Sequence, residues 1–268
     1  MKRPIAVFDS GIGGLTVLSE IRLHLPGEDL VYFGDTARVP YGTKSASLIT
    51  RYTVENGRFL KRFDPKMFVV ACNSMSSVAL QVLEGAFNIP VVGVIIPGAQ
   101  AAVAASKNLR IGVIATPATI RSKAYHHAVR SMVLDSEVFG QPCPLLVPAI
   151  EEGRGNDDPI LLSIVSQYLA PLQEFGVDTL ILGCTHYPLI KRAIGEVLGP
   201  SVTLVDSAKE TAHRTRDSLK ALGLLNPRKS GGKIRCFVSD SPDEVERKGR
   251  LFMGSEMPSV ELAAPEQF

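Results

Sequence analysis

The chain has 268 residues, a formal net charge of +2 and a hydrophobic share of 45%; its mean hydropathy is +0.15. Such a chain buries a large core and is not disordered. Lys and Arg are scattered rather than clustered, so no nucleic acid or anionic membrane is expected as a partner. Met1-Lys-Arg-Pro leads into a short strand rather than an apolar targeting segment, and the chain reads as soluble and cytoplasmic.

In chain order, Ile5-Ala-Val-Phe8 predicts a strand, Asp9 to Gly14 a glycine-rich turn, and Leu15 the start of a helix. Glycines let a backbone approach a ligand, but the turn matches neither phosphate-binding fingerprint, and a plain strand-to-helix turn explains it equally. Asp9, a carboxylate at a strand tip, is what such a turn does not need. Leu30 to Phe33 predicts a second strand, and the loop Gly34 to Gly42, with Pro40 and Gly42 around Tyr41, offers backbone N–H groups for an anion. Ser45 to Phe63 reads as a long, mostly polar helix, Phe68 to Ala71 as a strand, and 74–87 as one helix covering it.

From Ile89 the pattern restarts. Leu109 to Ile114 predicts a strand, and Thr116 to Ile120 a tight polar turn into a helix. Glu151-Glu152 follow an apolar stretch, where solvated loop acids are the ordinary reading. A helix over about 160–175 precedes the strand Val177 to Leu182. Asp206-Ser207 opens a helix over 208–222, and 234–238 is expected to be the last strand. A frayed tail is expected from about Gly254.

Two stretches share one build: Phe68-Val-Val-Ala-Cys72-Asn73-Ser74 and Leu180-Ile-Leu-Gly-Cys184-Thr185-His186. Each is a short apolar run, then a small residue, a cysteine and a short polar residue. Runs of this length read as fully buried parallel strands, whose carboxyl ends are where open α/β sheets hold ligands. The cysteines are 112 residues apart, and Asp9 and Thr116 are 107 apart, which suggests duplication. The remaining cysteines, Cys143 between Pro142 and Pro144 and Cys236 inside Ile234 to Val238, have no polar partner after them and read as inert core thiols. No C-x-x-C pair or zinc-like spacing is present, so no metal is expected.

Two thiols facing each other across a crevice can carry protons on opposite faces of one carbon. One thiolate removes a proton and the other thiol returns one, which is racemisation without a cofactor. A carbon acid beside a carboxylate is far weaker than a thiol of pKa about 8.5, so the pocket must hold that carboxylate with preorganised hydrogen bonds. Asn73, Ser74 and Thr185 are donors of the right kind. Asp9 is the candidate to manage the proton of Cys72, and Glu151 or His186 that of Cys184.

Asp9 to Leu18, Gly34 to Gly42, Ala71-Cys-Asn-Ser74 and Leu182-Gly-Cys-Thr-His-Tyr-Pro-Leu189 resemble the motifs of the glutamate racemases of bacterial cell-wall synthesis. The similarity runs from Ile5 to about Gly254. It implies an α/β protein of two similar, open, mostly parallel-sheet domains related by pseudo-two-fold symmetry, with the active site in the crevice between them. The domains expected are 1–93 plus 207–268, and 94–206. The resemblance further implies no cofactor and the interconversion of L- and D-glutamate for peptidoglycan. By motif, Cys72 would be the base for D-glutamate, assisted by Asp9, and Cys184 the base for L-glutamate, assisted by Glu151 and His186. Asp9, Ser10, Asn73, Ser74, Thr185 and His186 would meet the amino-acid head, Pro40, Tyr41 and Gly42 the distal carboxylate, and Thr116 and Thr119 the pocket wall.

One departure is visible: where the family usually has Asn-Thr-Ala after the first cysteine, Asn73-Ser74-Met75 stands here. Ser74 keeps the hydroxyl, and Met75 alters local packing. Some members carry an amino-terminal extension linked to activation by a cell-wall precursor; this chain starts a few residues before its first strand, and that regulation is not expected. Homodimers are common in the family, and the sequence singles out no pairing face. A racemase of aspartate or of a hydantoin would keep both cysteines but change the distal loop. A non-catalytic binding module would leave the matched cysteines without a purpose.

Overall fold

The computed structural model describes residues 3–254 and 257–263. The first part of the chain forms β1 (Ile5–Asp9), α1 (Leu15–His24), β2 (Leu30–Gly34), α2 (Ala46–Lys61), β3 (Met67–Val70), α3 (Asn73–Ser76), α4 (Leu80–Ala86) and β4 (Val91–Gly93). The middle forms α5 (Ile95–Ala105), β5 (Arg110–Ala115), α6 (Pro117–Ser122), α7 (Ala124–Met132), β6 (Glu137–Pro142), α8 (Leu146–Glu151), α9 (Pro159–Phe175), β7 (Thr179–Gly183), α10 (Lys191–Leu198) and β8 (Thr203–Asp206). The chain then returns through α11 (Ser207–Ala221), β9 (Ile234–Val238), α12 (Pro242–Met253) and β10 (Val260–Leu262).

All strand pairs are parallel, in two sheets ordered β10-β9-β2-β1-β3-β4 and β6-β5-β7-β8. The run β2-β1-β3-β4 and the whole second sheet have one topology, each strand being matched by the strand four later. The duplication expected from the spacing of the cysteines therefore has a counterpart in strand order. Parallel strands covered on both faces must be apolar throughout, and β1, β2, β3 and β7 are buried along their full length.

Alternation along each strand sorts the side chains into three cores. Ile5 and Val7 of β1 share the middle core with Ile111 and Val113 of β5 and Ile181 of β7. Ala6 and Phe8 point the other way into an outer core with Phe68 and Phe59. Leu180 and Leu182 point into the outer core of the second sheet, with Leu161 and Leu169 of α9. In the middle core, Ala99 and Ala102 of α5 and Ala208 and Ala212 of α11 are buried. Such short side chains let helix axes approach closely.

The single helix expected over 74–87 is two, α3 and α4, separated at Ser77 to Ala79. Ser76 explains the interruption: its hydroxyl turns back to donate to the Val70 carbonyl at 2.8 Å, tying the first turn to the strand it follows. The tail expected to fray contains β10, whose register pairs Val260 with Cys236. The rest of that expectation, at 255–256 and 264–268, lies outside the described residues. No described helix is long and apolar enough to cross a membrane.

Candidate active site

Register places the matched motifs side by side. Phe8 pairs with Val70, so two steps on, Ser10 stands beside Cys72; the Cys72 thiol donates to the Ser10 hydroxyl at 3.4 Å. Ala115 pairs with Gly183, so the next step sets Thr116 beside Cys184. Thr116 therefore corresponds to Ser10, while Ala115 corresponds to Asp9. Both thiols line one cavity of about 430 Å³ at the carboxyl ends of the two sheets. Ser10, Pro40, Tyr41, Gly42, Asn73 and Ser74 line it from one side, and Thr116, Glu151, Thr185 and His186 from the other.

The glycine-rich turn serves the opposite half rather than a phosphate. A Cβ on Gly13 would lie 2.2 Å from the Thr185 hydroxyl and 2.6 Å from the His186 ring. Thr16, at the start of α1, donates to the Thr185 carbonyl at 3.2 Å. The bare turn thus lets the β7 tip dock against β1, and brings His186 close enough to Asp9 for its charge to act there.

Asp9 is 1% exposed. One oxygen accepts from the Gly11 N–H at 2.9 Å, and Oδ1 has no partner among the described residues. Burial pushes its pKa up, against the pull of His186 and of the Gly11 and Gly14 N–H groups. Burial and the Asp9 charge push the Cys72 thiol up to about 12, against hydrogen bonds from Ser10 and Met75. This side favours a protonated sulfur.

The Cys184 side is built around a histidine paired with a carboxylate. His186 is 7% exposed; its Nε2 lies 2.8 Å from Glu151 and its Nδ1 3.9 Å from the Cys184 sulfur. Burial alone would lower the imidazole, but its contacts to Cys184 and Glu151 and their negative charge raise it to about 10. Burial would raise Glu151, and the His186 contact outweighs it, holding the carboxyl below its ordinary value. Glu151 is therefore no free loop acid. It ends α8, and only the fold brings it to a histidine 35 positions later.

Tyr41 lines the cavity together with Pro40 and Gly42. It is 2% exposed, and its hydroxyl donates to Asp35, which also binds Arg38 and Ser239. The phenol is occupied, and the loop lining the pocket is clamped from behind by a buried carboxylate. Gly42 is required at its tip, where a Cβ would lie 2.7 Å from Thr116. Thr119 stands behind the wall: its hydroxyl is 3.1 Å from that of Thr116 and 3.5 Å from that of Ser74, which lies 2.9 Å from Thr116.

Two residues escaped the sequence reading. Cys143, just past the β6 tip, lines the cavity as a third thiol, but its sulfur donates to the Gln141 carbonyl and burial pushes its pKa up. Tyr125 of α7 donates to the Asn73 side-chain amide oxygen at 2.7 Å. Asn73 Nδ2 is buried without a partner among the described residues. Unpaired buried polar atoms are costly, so the orphaned acceptor of Asp9 and donor of Asn73 ask for a ligand with an ammonium and a carboxylate. No group of three or more His, Cys, Asp or Glu among the described residues is arranged to hold a metal.

Matched parallel sheets closing on one pocket, each bringing a thiol from a strand tip, are the build of an α/β racemase. A family model described as Asp/Glu/hydantoin racemase matches residues 16–215. The chain belongs to the Asp/Glu/hydantoin racemase family, and is an enzyme of the isomerase class. It is 50% identical to a glutamate racemase of Geobacter metallireducens over 258 residues, covering 96% of this chain and 95% of the relative. A crystal structure of a glutamate racemase isoform from Bacillus anthracis superposes with a TM-score of 0.94 at 40% identity, covering 98% of both chains. Glutamate racemase from Francisella tularensis, solved in complex with D-glutamate, gives 0.93 at 37% identity, covering 100% of this chain and 99% of that one.

Proposed function

We propose that the chain interconverts L- and D-glutamate by proton transfer between Cys72 and Cys184, without a cofactor. The observation that carries this reading is the pair of thiols at corresponding strand tips on one cavity, each beside its own carboxylate-based proton partner. Asp9 Oδ1 would receive the substrate ammonium and Asn73 Nδ2 the α-carboxylate. The backbone of Pro40 to Gly42 would cradle the distal carboxylate, held in place by the Asp35 network.

From L-glutamate, the Cys184 thiolate, next to the His186 imidazolium, takes the Cα proton. The electron pair left on carbon delocalises into the α-carboxylate, where preorganised donors stabilise it. The Cys72 thiol delivers its proton to the opposite face, giving D-glutamate, a Cys72 thiolate and a Cys184 thiol. The reverse reaction uses the same groups in opposite roles, with Asp9 managing the Cys72 proton and Glu151-His186 that of Cys184. The domains are taken as 1–93 with 207–268, and 94–206, in keeping with the membership of the two sheets. The product would supply peptidoglycan synthesis in the cytoplasm, and a strain requiring D-glutamate should be rescued by the gene.

The test of the reaction is a chiral assay of L-glutamate, D-glutamate, L-aspartate and L-glutamine in D2O with purified protein and no additives. Glutamate should turn over far faster than the others, because a pocket built for a distal carboxylate leaves donors unpaired when the chain is shorter. Deuterium should enter the product enantiomer first. Early labelling of both enantiomers alike would mean one base, and faster turnover of aspartate would remove the distal-loop assignment.

A further inference from the structure

Tyr125 makes no contact that its neighbouring sequence announces, yet it touches both thiol-bearing strand tips. Its ring lies against Gly183, the residue before Cys184: a Cβ there would be 3.3 Å from the ring. A Cβ on Gly98 of α5 would lie 3.3 Å from the opposite ring edge and from the hydroxyl, so the ring is held between two bare backbones. The hydroxyl reaches across to Asn73, the residue after Cys72. Burial raises the phenol pKa, so this group stays protonated and donates.

The consequence falls on the Asn73 amide. Its two ends are nearly the same in shape and opposite in hydrogen bonding, so a half-turn of the side chain would exchange donor for acceptor. A donor fixed on its oxygen removes that freedom and leaves Nδ2 as the free group, buried and without a partner among the described residues. An amide turned the other way would set an oxygen against the substrate carboxylate.

We infer that Tyr125 is a positioning residue for racemisation: its hydroxyl locks the Asn73 amide with the donor end toward the substrate carboxylate, while its ring on Gly183 ties that donor to the strand tip bearing Cys184. This rests on the amino-acid racemase reading above and adds a residue from the second-sheet half to the recognition of the carboxylate beside Cys72. Tyr125 touches neither thiol's proton path and acts only through Asn73.

The test is a double-mutant cycle of Tyr125→Phe and Asn73→Ser, read as kcat/KM for glutamate racemisation at high enzyme concentration, with thermal denaturation of each variant alongside. Tyr125→Phe keeps the ring and its packing and removes one hydrogen bond, so it should melt close to the wild type while losing about tenfold in kcat/KM. The loss must be equal for both enantiomers, because the equilibrium constant of a racemisation is one. In the Asn73→Ser background, the same change should cost less than about twofold. A full tenfold loss in that background, or no loss in the wild-type background, overturns the proposal. A wild-type protein that leaves glutamate unchanged overturns the functional reading instead, so the two failures are distinguishable.

Discussion

Cys72 and Cys184 leave corresponding strands, yet the register position that holds Asp9 in the first half is Ala115 in the second. The second thiol obtains its carboxylate by another route, from Glu151 at the end of α8 through the His186 ring. A repeated backbone thus carries two unlike proton devices. Around Cys72, burial and the Asp9 charge push the thiol pKa up; beside Cys184 stands the His186 imidazole, whose own pKa is raised to about 10. Identical surroundings would leave two thiols or two thiolates, and neither pairing moves a proton across a carbon. In the proposed reaction this difference would set Cys72 as the acid opposite Cys184 as the base when L-glutamate is the substrate.

The largest effect should come from removing either thiol. Cys72→Ser and Cys184→Ser should each lower racemisation by about 10²–10⁴-fold, since a hydroxyl is a far poorer base than a thiolate. An assay in which one variant retained near-wild-type turnover would leave the other thiol as the sole base. Next come the partners. His186→Asn removes the cation beside Cys184 and should depress kcat from L-glutamate by about 10–10²-fold, the worth of a charged hydrogen bond. Asp9→Asn should depress kcat chiefly from D-glutamate. Equal effects of both variants in the two directions would mean that the halves are not specialised.

A smaller effect appears in stability. The folded His186 pKa is raised from 6.5 to about 10. The native state therefore holds this proton more tightly, and the contribution is complete below pH 6.5 and lost as pH rises through about 10. Wild-type protein should lose more thermal stability between about pH 6 and 10 than His186→Asn; parallel curves would remove the imidazolium from the argument. Asp9 is also raised by burial, so its stabilising contribution is likewise lost as pH rises past the ordinary carboxylate range. Asp9→Asn should accordingly melt about 2–4 °C higher at neutral pH while losing activity, a fold made more stable at the expense of its site. The smallest effect belongs to Cys236, buried in β9 within the middle core and not among the residues that line the cavity. Cys236→Ser should leave kcat/KM unchanged, and a large loss there would undo the division of the cysteines into two classes.

How legible the molecule was followed from burial. β1, β3 and β7 are continuous apolar runs because both their faces are covered, and such runs stand out in a sequence. β6, Glu-Val-Phe-Gly-Gln-Pro, has only exposed and half-buried positions at the edge of its sheet, and β10 is mostly exposed at the edge of the other. Neither had a run to show. Between Pro142 and Pro144, Cys143 carries no sign of a site; its place on the cavity wall depends on β6 ending beside β5.

The residues by themselves determined the chemistry on offer: two thiols after buried strands, a carboxylate at a strand tip, and the short donors beside them. Periodicity and strand-tip position are local properties, so a linear sequence carries them. Only the tertiary structure decided which partner each thiol received. Glu151 reaches His186 across a helix and a strand, Gly13 makes room for the other half's histidine, and Tyr125 holds Asn73 across two sheets. Those pairings are set by the approach of β7 to β1 over a shared core of small and branched side chains, a distance that no spacing along the chain encodes.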